Sequence, residues 1–185
     1  MAAWRERMQA ICKVEEYQSR PVNGQYECLS LDFRLCIFDL SSARRGANGS
    51  IVNTQLLQSS SPYAHLSVVC KVGDILHYPA TKALLKGEML AYAVLQALQG
   101  QVIPVFHGFY EVWGILHILA LQFFGDAIPE DTSIDTILRK KMKASLKCIH
   151  GAGYIHGDIE RRNFYRILCD DVFLVDLERC RLAAN

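Results

Sequence analysis

Residues 154–163 read Tyr-Ile-His-Gly-Asp-Ile-Glu-Arg-Arg-Asn, and this stretch decides how the rest of the chain is interpreted. It holds a carboxylate, Asp158, and a side-chain amide, Asn163, five positions apart in the sequence. A second carboxylate, Asp176, follows in the apolar run Phe-Leu-Val-Asp-Leu at 173–177. Charged and amide side chains set among apolar segments are candidates for a functional site, because such groups are rarely buried without a partner.

A helix is predicted immediately before this stretch, over residues 134–149. Its apolar residues recur at helical spacing on one stripe, and Gly151 and Gly153 end it. Thr132 and Asp135, three residues apart, resemble a capping box that would start it. Short strands are predicted after the helix, at 154–155, 164–168 and 172–175.

The first part of the chain favours strands, because apolar residues alternate or run together between Gly, Pro and Ser breaks. A helix is predicted over 79–98, after the third strand, and a loop over 41–50. A short amphipathic helix is also predicted near the N-terminus, over 4–17. The order indicates an α+β arrangement of two lobes. Five strands are predicted, at 29–37, 51–57, 65–72, 105–110 and 112–121.

The composition excludes several classes of partner. The 185-residue chain is 51% hydrophobic and 21% charged, which suits a globular protein with an ample core. Its formal net charge of +1 gives no reason to expect a nucleic acid or an acidic membrane. The longest apolar run, 112–124, is shorter than the roughly 20 residues that a membrane helix needs.

The cysteines and the N-terminus favour a cytoplasmic location. There are seven cysteines at irregular spacings, without a Cys-x-x-Cys pair, so neither a zinc site nor a disulfide framework is expected. The N-terminal Met-Ala-Ala-Trp-Arg-Glu-Arg carries charges where a signal peptide would be apolar. We therefore expect a soluble intracellular protein with reduced thiols.

The stretch at 154–163 resembles the catalytic loop of protein kinases and of the small-molecule kinases related to them. Their pattern is His-x-Asp followed by Asn five residues after the Asp, and His156, Asp158 and Asn163 match it. The His-Gly-Asp form is most similar to kinase-like proteins of fungal type, and also to aminoglycoside and choline phosphotransferases. The resemblance covers residues 29–180.

The resemblance implies a bilobal protein-kinase-like fold. Its N-lobe would contain a five-stranded antiparallel sheet and one helix, and its C-lobe would be shortened and mainly helical. The chain would then divide into an N-terminal helical segment over 1–25, an N-lobe over 26–124 and a partial C-lobe over 125–185.

The resemblance also implies ATP and Mg²⁺ as cofactors. Phosphoryl transfer depends chiefly on positioning and charge neutralisation. Asp158 would orient the acceptor hydroxyl and take its proton. Asn163 and Asp176 would hold Mg²⁺, which prefers hard oxygen ligands. The γ-phosphate of ATP would pass to a hydroxyl of a protein Ser or Thr, or of a small molecule.

Other residues would form the nucleotide cleft by the same resemblance. Lys71, in Val-Val-Cys-Lys, would contact the phosphates, and Glu88 on the following helix would orient it. Gly46 and Gly49 would belong to the glycine-rich loop that covers the phosphates. The hinge at the back of the adenine pocket would contain Leu121, Gln122 and Phe124.

Several residues depart from the family pattern. Arg44 stands at the first glycine of the loop, and Gly157 replaces the usual arginine. Glu160 occupies the position of a lysine that contacts the γ-phosphate, where a carboxylate would repel phosphate unless it binds metal or turns away. The sequence also ends at Asn185, before the family's activation segment. A pseudokinase that serves as an interaction module, and a fragment of a larger protein, therefore remain alternatives.

Overall fold

The structure is a computed structural model, and the chain divides into two compact units. The first unit contains the residues up to Lys82 together with His107–Phe123, and the second contains Ala83–Phe106 together with the residues from Phe124 onward. The predicted helix at 4–17 and residues 29–32 of the first predicted strand lie outside the described residues. The structure describes residues 33–38, 44–46, 49–58, 61–112, 115–123, 125, 127–167 and 171–183.

A mixed α+β architecture is confirmed, with an antiparallel sheet as the main element of the first unit. In the described part this sheet has six strands in the order β1-β3-β4-β6-β5, with β2 paired to β3. Strand β3 pairs antiparallel with β1, β2 and β4, and β4 pairs antiparallel with β6. The strands are β1 (Phe33–Phe38), β2 (Arg44–Gly46), β3 (Gly49–Gln58), β4 (Ser61–Asp74), β5 (Phe106–Val112) and β6 (Leu116–Gln122).

Two details of the predicted sheet are wrong. The predicted loop at 41–50 contains β2, so the sheet has six strands in place of five. Strand β4 begins at Ser61 and includes Pro62, which were expected to form a break. Proline is tolerated there because it stands at the end of the strand, beside a register shift between Leu57 and Gln58.

The core of the first unit lies across the central strands. Val52, Cys70 and Ala120 face one another on β3, β4 and β6, and each is fully buried. Burial raises the pKa of the Cys70 thiol well above its usual range, so it stays protonated and packs as a small apolar group. The residues of β6 are buried from Leu116 to Leu121, as expected for a strand covered on both faces.

Helix α1 (Ala80–Val94) leads into the second unit. The predicted helix over 79–98 is confirmed in outline, although its last turn is a short 3₁₀ helix, Gln96–Leu98. Gly100 ends it with a φ of 74°, a conformation that glycine adopts without strain. The turn is held by Gln99, whose amide donates to the Tyr92 carbonyl and accepts from the backbone of Phe106.

Helix α2 (Thr136–Gly151) confirms the helix predicted before the catalytic-loop stretch. It buries Leu138, Ser145 and Ile149, and the Ser145 hydroxyl donates to the Val172 carbonyl at 2.6 Å. No helix in the described ranges combines the length and apolarity that crossing a bilayer requires. Four short strands complete the unit as the pairs β7 (Tyr154–Ile155) with β10 (Arg181–Leu182) and β8 (Phe164–Arg166) with β9 (Val172–Leu174).

The predicted capping box is wrong. Asp135 is itself the N-cap of α2, with extended backbone, and its Oδ1 accepts from the Leu138 amide at 2.7 Å. This bond satisfies one of the amides that the first turn of a helix leaves without an intrahelical partner. Thr132 contributes its backbone carbonyl to a contact with Arg161 instead.

We expect Asp135→Ala to lower the free energy of unfolding by about 1 kcal/mol, because the α2 amide loses its cap. Urea unfolding followed by circular dichroism measures the change. Thr132→Ala is the matched control, and it should alter stability by less than about 0.5 kcal/mol because its carbonyl is kept. A larger loss in Thr132→Ala than in Asp135→Ala would restore the capping-box assignment.

Candidate functional site

The His-Gly-Asp loop connects β7 to β8 in the second unit, and His156 fixes it to the segment after β9. His156 is fully buried, and its Nε2 donates to the Val175 carbonyl at 2.9 Å. The Asp158 amide donates to His156 Nδ1 at 3.3 Å. Burial lowers the pKa of His156, which agrees with a neutral ring that donates at one nitrogen and accepts at the other. His156 is therefore a structural residue of the loop.

Asn163 closes the loop from the other end. It is almost completely buried, and its Nδ2 donates to both the backbone carbonyl and Oδ2 of Asp158, at 3.0 and 3.1 Å. Its backbone carbonyl accepts from the Val175 amide at 3.0 Å. Two bonds to Val175, one from each end of the loop, thus bring Asp158 and Asn163 beside the chain that carries Asp176.

The carboxylate of Asp158 accepts hydrogen bonds at one of its two oxygen atoms. Oδ2 accepts from Asn163 and from the Arg162 guanidinium, each at 3.1 Å. Oδ1 receives no hydrogen bond within the ranges described. Only 14% of the Asp158 side chain is exposed. Because Oδ2 already accepts from two donors, Oδ1 is the oxygen that an incoming group could reach.

Glu160 lies beside a cation. Its carboxylate is 3.8 Å from Arg162 Nη1, and its side chain is 57% exposed. A phosphate group approaching the loop would therefore meet Arg162 together with Glu160. The pair reduces the repulsion that the sequence indicated for a carboxylate at this position.

Asp176 has an unusual backbone. Its φ and ψ are 66° and 62°, and it is the one non-glycine residue with positive φ among those described. Left-handed backbone is costly for a residue with a Cβ, and such strain concentrates at functional sites. Asp176 precedes a 3₁₀ turn, Leu177–Arg179, without capping it through its side chain. The strained residue is the one that the sequence indicated as a metal ligand.

Glu88 approaches the same segment from α1. The side chain is fully buried, and its Oε1 accepts from the Leu177 amide at 3.2 Å. Glu88 therefore lies next to the residue that follows Asp176. Lys71, its predicted partner, belongs to the first unit, and the Lys71–Glu88 pair stays a prediction.

Tyr92, one turn further along α1, is a site residue that the sequence did not single out. Its hydroxyl is buried and has no hydrogen-bond partner within the described ranges. Burial raises the pKa of Tyr92 well above its usual range, and the charges of Glu88 and Asp176 raise it further. The phenol therefore stays protonated beside two carboxylates. An aromatic residue on a helix is typical of a core, and the nearby charges of Glu88 and Asp176 are what distinguish Tyr92.

Gly157 is required for steric reasons. Its φ is 84°, and a Cβ built on it would collide with the backbone carbonyl of Arg179. A glycine is therefore required at position 157 of this chain, because no side chain fits there.

Arg161 is an anchor of the loop. Its guanidinium donates to the backbone carbonyls of Glu130 and Thr132. These bonds tie the loop to the segment preceding α2. A long-range contact to backbone carbonyls leaves no pattern in the sequence, so this role could not be predicted.

The remaining predicted nucleotide-binding residues lie on the first unit. Lys71 is half-buried on β4, between Ile51 of β3 and Leu119 of β6. Gly46 and Gly49 face each other where β2 turns into β3. Their roles toward ATP stay predictions. Three residues were predicted for the hinge. Leu121 is buried on β6, Gln122 is the last residue of β6, and Phe124 lies outside the described residues.

The candidate metal ligands are an amide oxygen and a carboxylate. Among the residues that the structure describes, no three His, Cys, Asp or Glu side chains are grouped to hold a metal ion. Asn163 uses its Nδ2 on Asp158, so its Oδ1 is left to face a cation. Two hard oxygen donors fit Mg²⁺, which commonly takes its other ligands from phosphates and water.

Comparison with protein-family models finds no match to this chain, and comparison with curated proteins finds none either. The assignment of a function therefore depends on the geometry of the loop and on the motifs themselves.

We expect Gly157→Ala to destabilise the second unit far more than Gly153→Ala. Both glycines have a φ of 84°, but a Cβ at Gly153 meets nothing within 4 Å. Gly153→Ala should cost only the left-handed strain, about 1 to 2 kcal/mol. Gly157→Ala adds a collision with a backbone carbonyl, which cannot rotate aside. Thermal unfolding of the two variants provides the comparison, and equal losses would contradict the steric role of Gly157.

Proposed function

We propose that this protein is an ATP-dependent phosphotransferase of protein-kinase type, which transfers the γ-phosphate to a hydroxyl group. The observation that carries the proposal is the pair of backbone-directed bonds to Val175. They hold Asp158 and Asn163, from one segment, beside Asp176 from another. Three residues that match a phosphotransferase motif in sequence are thus neighbours in the folded chain.

The position of Asp158 suits a group that orients an acceptor hydroxyl. Its Oδ2 is held by two donors, which fixes the direction of the carboxylate. Oδ1 then accepts the hydroxyl proton as the phosphoryl group arrives. Positioning of this kind contributes more to phosphoryl transfer than covalent chemistry does.

Asn163 and Asp176 would hold Mg²⁺. The cation would neutralise charge on the phosphates when bound, and the chain's part is to present oxygen atoms from fixed backbone. The Asn163 amide is oriented by its two bonds to Asp158, and Asp176 is oriented by a backbone that Glu88 stabilises through the next amide. By the resemblance alone, Lys71, Gly46 and Gly49 would contact the ATP phosphates.

The location proposed for the protein is the cytoplasm, where ATP is available and thiols stay reduced. The acceptor would be a protein Ser or Thr or a small-molecule hydroxyl.

The first test is Mg²⁺-dependent ATP turnover by the purified chain. Asp158→Asn should lower kcat by about 10²- to 10⁴-fold, since the hydroxyl loses its proton acceptor. Asp176→Asn should abolish the Mg²⁺-dependent turnover itself, because the cation loses its carboxylate ligand. Asp171→Asn is the matched control and should leave turnover unchanged, because the Asp171 side chain is exposed and pairs with Lys141, at 3.9 Å. Turnover that survives Asp176→Asn would exclude this function.

The second test concerns Arg162. Arg162→Ala should lower kcat by about tenfold with little change in the KM for ATP, because Asp158 loses one of two donors that orient it. Arg162→Lys should recover part of the rate, since it restores a charge without the planar fork. Arg181→Ala, an exposed control, should behave as the parent chain. An equal loss in both alanine variants would remove Arg162 from this role.

A pseudokinase is the second candidate. It is favoured by Glu160, a carboxylate that stands in the sequence where the resemblance expects a lysine that contacts the γ-phosphate. Thermal-shift titration with ATP and Mg²⁺ separates the two functions. Stabilisation by the nucleotide without turnover supports a binding module, since a ligand that binds the native state raises its stability.

A further inference from the structure

Helix α2 has a one-sided charge. Within its 16 residues it carries five cations and no carboxylate. Because the whole chain has a formal net charge of +1, the remainder carries −4. The helix is therefore the main concentration of positive charge in an otherwise acidic chain. The cations are Arg139, Lys140, Lys141, Lys143 and Lys147.

Four of these cations form an exposed basic face, defined as Arg139, Lys140, Lys143 and Lys147. The opposite side of the helix buries Leu138, Ser145 and Ile149, so the direction of the face is fixed. The bond from the Ser145 hydroxyl to the Val172 carbonyl adds a polar anchor. Lys141 stands to one side and contacts Asp171.

The basic face opposes the stability of its own helix. None of its four cations forms an ion pair with any residue that the structure describes. Arg139 and Lys143, and likewise Lys143 and Lys147, lie four residues apart, where like charges repel. Arg139 and Lys140 also lie close to the helix N-terminus, where the dipole disfavours cations. Departures from local rules of this kind are typical of functional surfaces.

Apolar and small side chains line the neighbouring strip of α2. Ile137 is 65% exposed. Ala144, seven residues after Ile137, and Cys148, four residues after Ala144, are exposed as well. Residues at this spacing lie along one line of a helix surface. A partner that approached Lys140 and Lys147 would therefore cover an apolar strip at the same time.

We propose that the basic face of α2 docks an acidic amphipathic helix of another protein. Lys140, Lys143 and Lys147 follow one another at three and four residues, which matches carboxylates at the same spacing on a partner helix. The partner's apolar residues would cover Ile137 and Ala144. The inference does not depend on the phosphotransferase activity.

Other polyanions fit less well. The face offers no aromatic ring for stacking bases, so a nucleic acid would be held through its phosphates alone. A membrane surface requires an apolar side of the helix that can enter lipid, and that side of α2 is buried in the core. The exposed apolar strip has no use in binding phosphates, whereas an amphipathic helix would bury it.

The test uses a fluorescein-labelled peptide of about 20 residues, long enough to populate a helix. The peptide carries Glu at alternating spacings of three and four, with Leu on the adjacent line. Fluorescence anisotropy with the full chain should show saturable binding that weakens as salt rises. The triple variant K140E/K143E/K147E should weaken it by about tenfold or more, through the loss of three surface ion pairs.

Matched variants separate charge from folding. K140R/K143R/K147R should bind as the parent chain does, and K82E/K86E/R181E, with the same change in net charge elsewhere, should bind almost as well. Ile137→Ser should weaken binding with no change in the salt dependence. Circular dichroism establishes that each variant is folded, and K140A/K143A/K147A replaces the glutamate variant if it is not.

Three results would overturn the proposal. The first is equal affinity of the parent chain and the folded triple variant. The second is equal affinity for a scrambled peptide of the same composition, because the spacing would then be irrelevant. The third is tighter binding of a single-stranded oligonucleotide that displaces the peptide, which would assign the face to nucleic acid.

Discussion

The hydrogen bonds at Val175 are the constraint on which the candidate site depends. The carbonyl of this residue accepts from His156, and its amide donates to the backbone of Asn163. One end of the loop is thus bonded to the carbonyl of Val175, and the other end is bonded to its amide. Asp158 and Asn163 lie between these bonds, and Asp176 is the next residue in the chain. Positions that are far apart in sequence become neighbours through the carbonyl and the amide of Val175. Side-chain substitutions elsewhere leave these two backbone groups unchanged.

Two polar side chains of α1 are buried near these hydrogen bonds. Glu88 is fully buried and accepts from the Leu177 amide, and Tyr92 has a buried hydroxyl nearby. Buried polar groups cost stability unless they are satisfied. A core built only for packing would place apolar side chains at these positions of α1. Their presence close to Asp176 indicates that this part of the second unit is organised around charge as well as packing.

The sequence predicted those features that depend on local pattern. Alternating apolar residues predicted the first strand, and apolar runs between breaks predicted most of β3 and β4. The apolar stripe predicted α2 together with its end near Gly151. The sequence failed where a choice depended on contacts between distant residues. Asp135 rather than Thr132 caps α2, which depends on the path by which the chain enters the helix. Arg161 contacts the carbonyls of Glu130 and Thr132, which no spacing reveals.

The same limit applies to the candidate site. The motif positions Asp158, Asn163 and Asp176 could be marked by residue type and order, and the resemblance supplied Glu88. The steric need for Gly157 could not be seen, because it comes from the carbonyl of Arg179 on a later turn. Tyr92 could not be distinguished from a core aromatic residue, because its significance lies in the charges around it.

The backbone of Asp176 sets stability against the carboxylate of the candidate site within a single residue. A glycine at this position would adopt the left-handed conformation without strain. It would therefore form the turn between β9 and Leu177 at a lower cost in free energy. It would also remove the carboxylate. Selection for a more stable protein and selection for a working site would therefore change this position in opposite directions. Among stabilised variants, a glycine at position 176 would identify a chain that keeps the fold and lacks the carboxylate of the candidate site.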